Sequence, residues 1–183
     1  MALQDLLLQA NQQLLSLLQK KKYPLFSADK IVLNLYKNKK FINLLIKKFN
    51  LNSKLKIKNE IRSIIKKDKK KLKILEKIIH PIVKQKMNIF LTTRSKIIVL
   101  EIPLLIENKL NKYFDIIIFV NAKKKLRLKR YLKRNNDKKT FEILNKRQIS
   151  PVIKKKVSDF TINNNYSLTI LKKNVKKIIA NYE

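Results

Sequence analysis

DIIIFV, at residues 115–120, is the clearest strand of the sequence, because a continuous apolar run this short is typical of a strand buried on both faces. IIVL at residues 97–100, which ends at Glu101, has the same character. Two shorter candidates lie at residues 23–26 and 159–162. Since helical segments separate these runs, the sequence predicts an α/β fold with a mostly parallel sheet covered on both faces.

The remaining apolar residues recur at helical spacing. Ser27 is placed to cap a helix that starts at Ala28. Further helical patterns cover residues of about 40–92, 123–134, 139–147 and 167–180. Polar residues follow the predicted strands at 27–29, 101–108 and Asn121, where the carboxyl ends of parallel strands hold ligands. This arrangement indicates an α/β enzyme.

Length and composition exclude several classes of protein. The 183 residues suit a single domain over 1–183, and 45% hydrophobic residues exclude a disordered polycation. No run approaches the roughly 18 apolar residues of a membrane span, and no basic leader opens the chain, so neither a membrane partner nor a signal peptide is expected. Without cysteine there is no disulfide scaffold or thiolate metal site, no protein metal site is predicted, and a cytoplasmic location is the expectation.

The formal net charge of +33 has two explanations, nucleic-acid binding or compositional drift. Lysine supplies 39 of the 45 basic residues, and Lys, Ile and Asn, which have A/T-rich codons, make up 84 of the 183. Proteins that read nucleic acids usually carry more arginine, because its planar fork matches phosphates and base edges. Drift is therefore favoured, and nucleic-acid binding is not expected as the main role.

The sequence contains no glycine. Turns with positive φ normally need glycine, so we expect asparagine to replace it at Asn163–Asn165 and Asn135–Asp137. A glycine loop that cradles phosphate is absent from the sequence as written.

Five motifs in register carry a resemblance. They are Ser27-Ala28-Asp29; IHPI at 79–82; IPLLIEN at 102–108; the pair Arg130 and Arg134; and Arg147-Gln148 with Lys154, SDF at 158–160 and INN at 162–164. Together they resemble dephospho-CoA kinase, the family of P-loop enzymes that phosphorylates the ribose 3′-hydroxyl of dephospho-CoA. The resemblance implies a P-loop-kinase-like three-layer fold with a short parallel sheet. It also implies an inserted helical substrate lobe at about 40–92, a helical lid at about 130–155, and ATP, Mg²⁺ and dephospho-CoA as ligands.

The resemblance assigns roles to single residues. It makes Asp29 the general base, and Arg130, Arg134 and Lys154 cations around the ATP phosphates. It places His80, Pro103, Leu104, Leu105, Glu107 and Asn108 on the side of the cleft that binds CoA. Each has a structural alternative. Asp29 and Glu107 suit a first helical turn, the cations suit a solvated basic face, His80 before Pro81 suits a helix end, and the two leucines suit the core.

The departure from the family lies at the N-terminus. In place of a strand and a glycine phosphate loop the chain has LQDLLLQANQQ at residues 3–13. Codons that begin one base earlier allow Leu-Thr-Gly at positions 3–5 and Ala-Gly-Lys-Ser-Thr at positions 9–13. We therefore expect residues up to about 20 to be out of frame, with the frame regained in the A-rich codons of Lys20–Lys22. The alternatives are a catalytically dead relative, a basic nucleic-acid-binding protein, or an adenylate-type kinase.

Overall fold

The computed structural model describes residues 23–52, 57–68, 70–133 and 137–183. The strands are β1 (Leu25–Ser27), β2 (Val99–Glu101), β3 (Ile118–Asn121) and β4 (Phe160–Asn163). The α-helices are α1 (Ala28–Leu35), α2 (Lys39–Phe49), α3 (Ile57–Lys67), α4 (Lys70–Leu91), α5 (Lys124–Leu132), α6 (Lys138–Asn145), α7 (Pro151–Val157) and α8 (Leu168–Ala180). All four predicted strands are therefore present, but the residues of β3 are only half-buried, so the predicted burial of this strand on both faces is wrong.

The described strands form two parallel pairs. In one pair, β1 lies beside β2 with Ser27 opposite Glu101. In the other, β3 lies beside β4 with Asn121 opposite Asn163. The predicted parallel pairing is confirmed. In the described residues, however, the four strands form two two-stranded sheets instead of one, because no described strand pairs with both β2 and β3. Each pair has its own carboxyl edge.

Helix α8 joins the two sheets through one apolar cluster. Its buried residues Leu171 and Val175 pack with Ile162 of β4. Val99 of β2 and Val120 of β3 pack against the same cluster. Both sheets therefore share α8 as their cover, as expected for an α/β domain.

Helices α2 to α4 form a helical lobe around one apolar cluster, which also includes Leu35 and Tyr36 at the end of α1. Each buries apolar residues at helical spacing, namely Phe41, Leu45 and Phe49 on α2, Ile57, Ile61 and Ile65 on α3, and Leu72, Leu75 and Ile79 on α4. The three helices fall within the stretch predicted to be helical. In the described residues, no helix is long and apolar enough to cross a membrane.

Sequence analysis did not predict α7. Its start carries two recognisable signals, since the Ser150 hydroxyl accepts a hydrogen bond from the Ile153 N–H and Pro151 occupies the first turn. The rest of α7 has no buried apolar face, since Val152 and Ile153 are exposed and three lysines follow them. The capping signals, rather than the periodicity, identify this helix.

Left-handed backbone occurs at three described residues, Asn50 (φ 49°), Leu104 (φ 55°) and Lys109 (φ 56°). The prediction that Asn163–Asn165 take this conformation is wrong, as it is for Asp137 (φ −117°), and Asn135 and Asn136 lie outside the described residues. Asn163 and Asn164 instead hydrogen-bond to Asn121 of β3. Leu104 and Lys109 are in the loop after β2, where backbone strain is therefore concentrated.

Replacing Lys109 by glycine should stabilise the protein. Its side chain is exposed, so the change removes no packing, and it relieves a left-handed conformation that costs a residue with a Cβ about 1 kcal/mol. We expect the thermal midpoint to rise by about 2–4 °C, measured by circular dichroism. Lys112→Gly is the matched control, because Lys112 is exposed nearby in a short 3₁₀ turn and lacks positive φ. Equal changes in the thermal midpoint of the two variants would contradict backbone strain at Lys109.

Candidate active site

The carboxyl edge of the β1–β2 pair holds two buried carboxylates. Ser27 ends β1, and its hydroxyl donates a 2.5 Å hydrogen bond to Glu101 Oε2 at the end of β2. The same hydroxyl oxygen accepts the Lys30 N–H at 3.2 Å and so caps α1, as predicted. This cap places Asp29 in the first turn of α1, directly at the strand end.

Asp29 and Glu101 are 5% and 8% exposed, respectively. A buried carboxylate at the carboxyl edge of a parallel sheet is suited to orient a substrate hydroxyl and to accept its proton. The same position also suits the structural alternative, in which Asp29 is a first-turn acid stabilised by the helix dipole. Glu101 was predicted as a polar residue at a strand end, but neither its spacing nor the resemblance gave it a role of its own.

The loop after β2, residues 102–110, carries most of the residues predicted to bind CoA. Leu104 is buried, Pro103 and Leu105 are half-buried, and Asn108 is exposed. The Asn108 side-chain amide donates to the Leu104 carbonyl at 2.9 Å. Asn108 therefore shapes the loop, and Leu104 contributes to the core.

Glu107 of this loop is paired with Lys154 of α7. The Lys154 Nζ lies 2.6 Å from Glu107 Oε1, and both side chains are about nine-tenths buried. The Ile149 N–H donates to the same oxygen at 3.2 Å. The structure thus joins two residues that the resemblance assigns to different substrates.

Arg130 lies at the carboxyl edge of the β3–β4 pair. Its Nη2 donates to the Asn164 carbonyl at 3.1 Å, just beyond β4. On the same helix, Arg127 donates to the Gln148 side chain at 3.0 Å. Burial lowers the pKa of both guanidinium groups, yet arginine starts so high that both stay charged at neutral pH. Arg127 was missed by sequence analysis, and Arg134 lies outside the described residues.

Asparagines hold this second edge together. The Asn164 N–H donates to the Asn121 carbonyl at 2.7 Å, and the Asn121 side chain donates to Asn163 Oδ1 at 3.3 Å. Asn165 Oδ1 accepts the Lys123 N–H at 2.9 Å. Asn121, predicted as a polar residue at a strand end, therefore helps to fix Asn164, whose carbonyl accepts the hydrogen bond from Arg130.

Two ion pairs connect the helical lobe with α6 and the residues that follow it. Arg147 contacts Glu76 of α4 with both terminal nitrogens, at 2.6 and 2.9 Å. Lys66 of α3 lies 2.8 Å from Asp137, which caps α6. Sequence analysis found neither pair, because each joins residues far apart in the chain.

The Asp137 pair should make stability depend on acid pH. Burial raises the pKa of Asp137, but hydrogen bonds from Lys66 and Thr140 and the charge of Lys66 outweigh it and lower the pKa from 3.8 to about 2. Because the folded pKa lies below the unfolded one, the contribution is present above about pH 4 and is lost as the pH falls toward 2. Asp137→Asn keeps a capping side chain and should remove this dependence.

We expect Asp137→Asn to lower stability at pH 7 by less than about 1 kcal/mol, because solvent screens the half-exposed pair. The difference from the unchanged protein should vanish near pH 2, as measured by urea unfolding across pH. Lys66→Met should weaken the same dependence. A difference that persists unchanged at pH 2 would contradict a charge effect.

His80 is exposed on α4, which continues through Pro81 to Leu91. The expectation of a helix end at this histidine is therefore wrong. The helix continues because apolar side chains still pack on both sides of the proline, with Ile79 buried and Ile82 against the lobe core. Proline removes one backbone hydrogen bond at this point without ending the helix.

Comparison with known proteins identifies the family. The sequence profile described as CoaE, dephospho-CoA kinase, matches residues 12–169. The chain belongs to the dephospho-CoA kinase family. The dephospho-CoA kinase of Bartonella henselae is 35% identical over 162 residues, which cover 84% of this chain and 83% of that protein. The enzyme of the same name from Rickettsia typhi is 30% identical over 175 residues, which cover 93% and 90%.

Solved structures share the fold of this family member. TT1252 from Thermus thermophilus has a TM-score of 0.72 at 23% identity and covers 94% of this chain and 92% of its own. The dephospho-CoA kinase from Campylobacter jejuni has a TM-score of 0.59 at 24% identity, with 93% and 90% covered. The kinase-like α/β fold expected from the five motifs is confirmed.

Proposed function

We propose that the protein transfers the γ-phosphoryl group of ATP to the ribose 3′-hydroxyl of dephospho-CoA, which yields CoA and ADP. The observation that carries the proposal is the buried carboxylate of Asp29, held at the carboxyl end of β1 by the Ser27 cap. Asp29 orients the 3′-hydroxyl and accepts its proton as the oxygen attacks the γ-phosphorus. Family membership supports this reaction over nucleic-acid binding and over an adenylate-type kinase.

The other residues fall into two groups. Arg130, Arg134 and Lys154 supply positive charge to the ATP phosphates, and part of the general positive surface steers both polyanionic substrates. Dephospho-CoA binds on the side formed by the loop after β2 and by α4, with contributions from His80, Pro103, Leu104, Leu105, Glu107 and Asn108. We also propose that the lobe at about 40–92 and the lid at about 130–155 are parts of one domain, and that the enzyme works in the cytoplasm, with its ATP supply.

Mg²⁺ is part of the proposal. Carboxylate oxygens such as those of Asp29 and Glu101 are the ligand type that Mg²⁺ takes. Within the described ranges, however, no group of three His, Cys, Asp or Glu side chains is placed to hold a metal ion. Mg²⁺ bound together with the ATP phosphates would neutralise the charge that develops during transfer. The resemblance adds a phosphate-loop hydroxyl as its protein ligand.

The place of the family's phosphate loop, residues 3–13, lies outside the described residues, and the family profile begins to match only at residue 12. We propose that these residues are read out of frame and that a one-base shift supplies the loop. Sequencing the gene and its transcripts across these codons tests this directly. Transcripts that vary in the length of the A-run and decode Gly-Lys-Ser-Thr support the shift, whereas a uniform Gln-Ala-Asn-Gln-Gln at positions 9–13 means that the loop is lost.

The activity is tested by incubating the protein, made both as printed and in the shifted frame, with ATP, Mg²⁺ and dephospho-CoA. Formation of CoA by the shifted-frame protein, with AMP and adenosine inert as acceptors, is the expected result. Binding of dephospho-CoA without transfer by either form would favour a catalytically dead relative. Tight binding of RNA or DNA with a steep salt dependence would favour the nucleic-acid alternative.

A further inference from the structure

The Glu107–Lys154 pair connects two parts of the protein that are distant in sequence. Glu107 is in the loop after β2, and Lys154 is in the middle of α7. Their side chains are 10% and 12% exposed, and 2.6 Å separates Oε1 from Nζ. Exposed ion pairs contribute little, but a buried one leaves an uncompensated charge when either partner is removed. This pair is therefore a structural constraint on both segments.

The loop holds Glu107 in a fixed position. The Leu110 N–H donates to the Leu105 carbonyl at 3.0 Å, and the Asn108 N–H and side chain both donate to the Leu104 carbonyl. Leu104 and Lys109, which both have left-handed backbone, lie before and after Glu107 in the chain. The loop thus closes on itself and fixes where the carboxylate lies.

The same carboxylate oxygen also holds the start of α7. It accepts the Ile149 N–H, one residue before the Ser150 cap, as well as the Lys154 ammonium one turn into the helix. Helix α7 packs on β3, where Lys154 Nζ lies 5.8 Å from the centre of the Phe119 ring. One oxygen therefore fixes the entry to α7 and the direction of its inward-facing lysine.

We propose that Glu107 is a positioning residue that makes the loop after β2 and α7 move as one unit, so that dephospho-CoA bound on this loop fixes Lys154. The inference rests on the proposed function, because it takes the loop as the dephospho-CoA side and Lys154 as a cation for ATP. An ammonium has three N–H donors, so Lys154 can hold Glu107 and still donate to a phosphate oxygen. Binding of dephospho-CoA to the loop thereby restricts the position of Lys154 beside the ATP phosphates.

The test measures dephospho-CoA binding by calorimetry and backbone hydrogen exchange over residues 149–157, on the protein as printed. In the unchanged protein, dephospho-CoA should bind and slow exchange across α7 at least fivefold. In Glu107→Gln saturated with dephospho-CoA, the slowing of α7 should be lost, whatever the change in affinity. The double variant Glu107→Gln with Lys154→Met removes both buried charges, so it guards against misfolding, and it should lose the slowing too. Lys154→Arg, which keeps the charge, should retain most of it.

Glu142→Gln is the matched control, because Glu142 forms a comparable but exposed ion pair with Lys124 at 3.0 Å. It should change neither measurement. A retained α7 response in Glu107→Gln saturated with dephospho-CoA would overturn the inference while leaving the proposed function intact. Failure of the unchanged protein to bind dephospho-CoA would overturn both.

Discussion

The chain as printed should bind ATP at least 1,000-fold more weakly than the same chain with positions 3–20 translated one base earlier. The printed residues 3–13 offer no glycine, lysine or hydroxyl, and Asp5 adds negative charge to the segment. The shifted translation allows Gly-x-x-x-x-Gly-Lys-Ser, in which backbone N–H groups and the lysine hold the phosphates. Three lost charge-assisted hydrogen bonds at about 1.5–3 kcal/mol each account for a factor of 1,000 or more.

Calorimetric titration of both proteins with ATP and Mg²⁺ measures this difference. Asn11→Met in the printed chain should have no effect, whereas replacing the lysine that the shifted frame encodes at this position should remove most of the gain. Dephospho-CoA should bind the two forms equally, since its proposed site lies on the described loop and lobe. An ATP dissociation constant between about 1 µM and 1 mM for the printed chain, ordinary for a kinase, would refute the prediction.

The strands and their functional edge were predictable from sequence because their signals are local. A continuous apolar run such as 115–120 favours a strand, and the capping serine at 27 fixes where α1 begins. These two signals place Asp29 at a strand end. The left-handed residues were not predictable in this way, because asparagine is only one route to positive φ. Leu104 and Lys109 take it where the closed loop after β2 requires it.

The partners of the charged residues were not predictable, because they depend on contacts between distant segments. Lysine is so common in this sequence that, apart from the resemblance, nothing distinguishes Lys154 from a solvated neighbour until Glu107 is found against it. Arg127 likewise stands out from the other basic residues only through its hydrogen bond to the Gln148 side chain. The sequence therefore identifies the carboxylates of the candidate site better than its cations. The structure adds the hydrogen bonds and ion pairs that position those cations.

Asp29→Asn should lower kcat for phosphorylation of dephospho-CoA by a factor of about 10²–10⁴ in the shifted-frame protein. Asparagine has nearly the same size and keeps a polar group at this buried position, but it cannot accept the proton of the 3′-hydroxyl. The affinity for dephospho-CoA should change by less than about threefold, because the defect belongs to the transition state. Single-turnover rates and calorimetry separate the two effects.

Asp68→Asn is the control for this substitution. Asp68 lies between α3 and α4, where its side chain accepts the Lys70 N–H at 2.8 Å, a bond that asparagine can also form. It should leave kcat unchanged. If Asp29→Asn retained kcat within about fivefold, the proton would pass to another group, and Glu101 is the other carboxylate buried at the same strand edge. Glu101→Gln in the same assay decides between the two, because removing the true base lowers kcat without weakening dephospho-CoA binding.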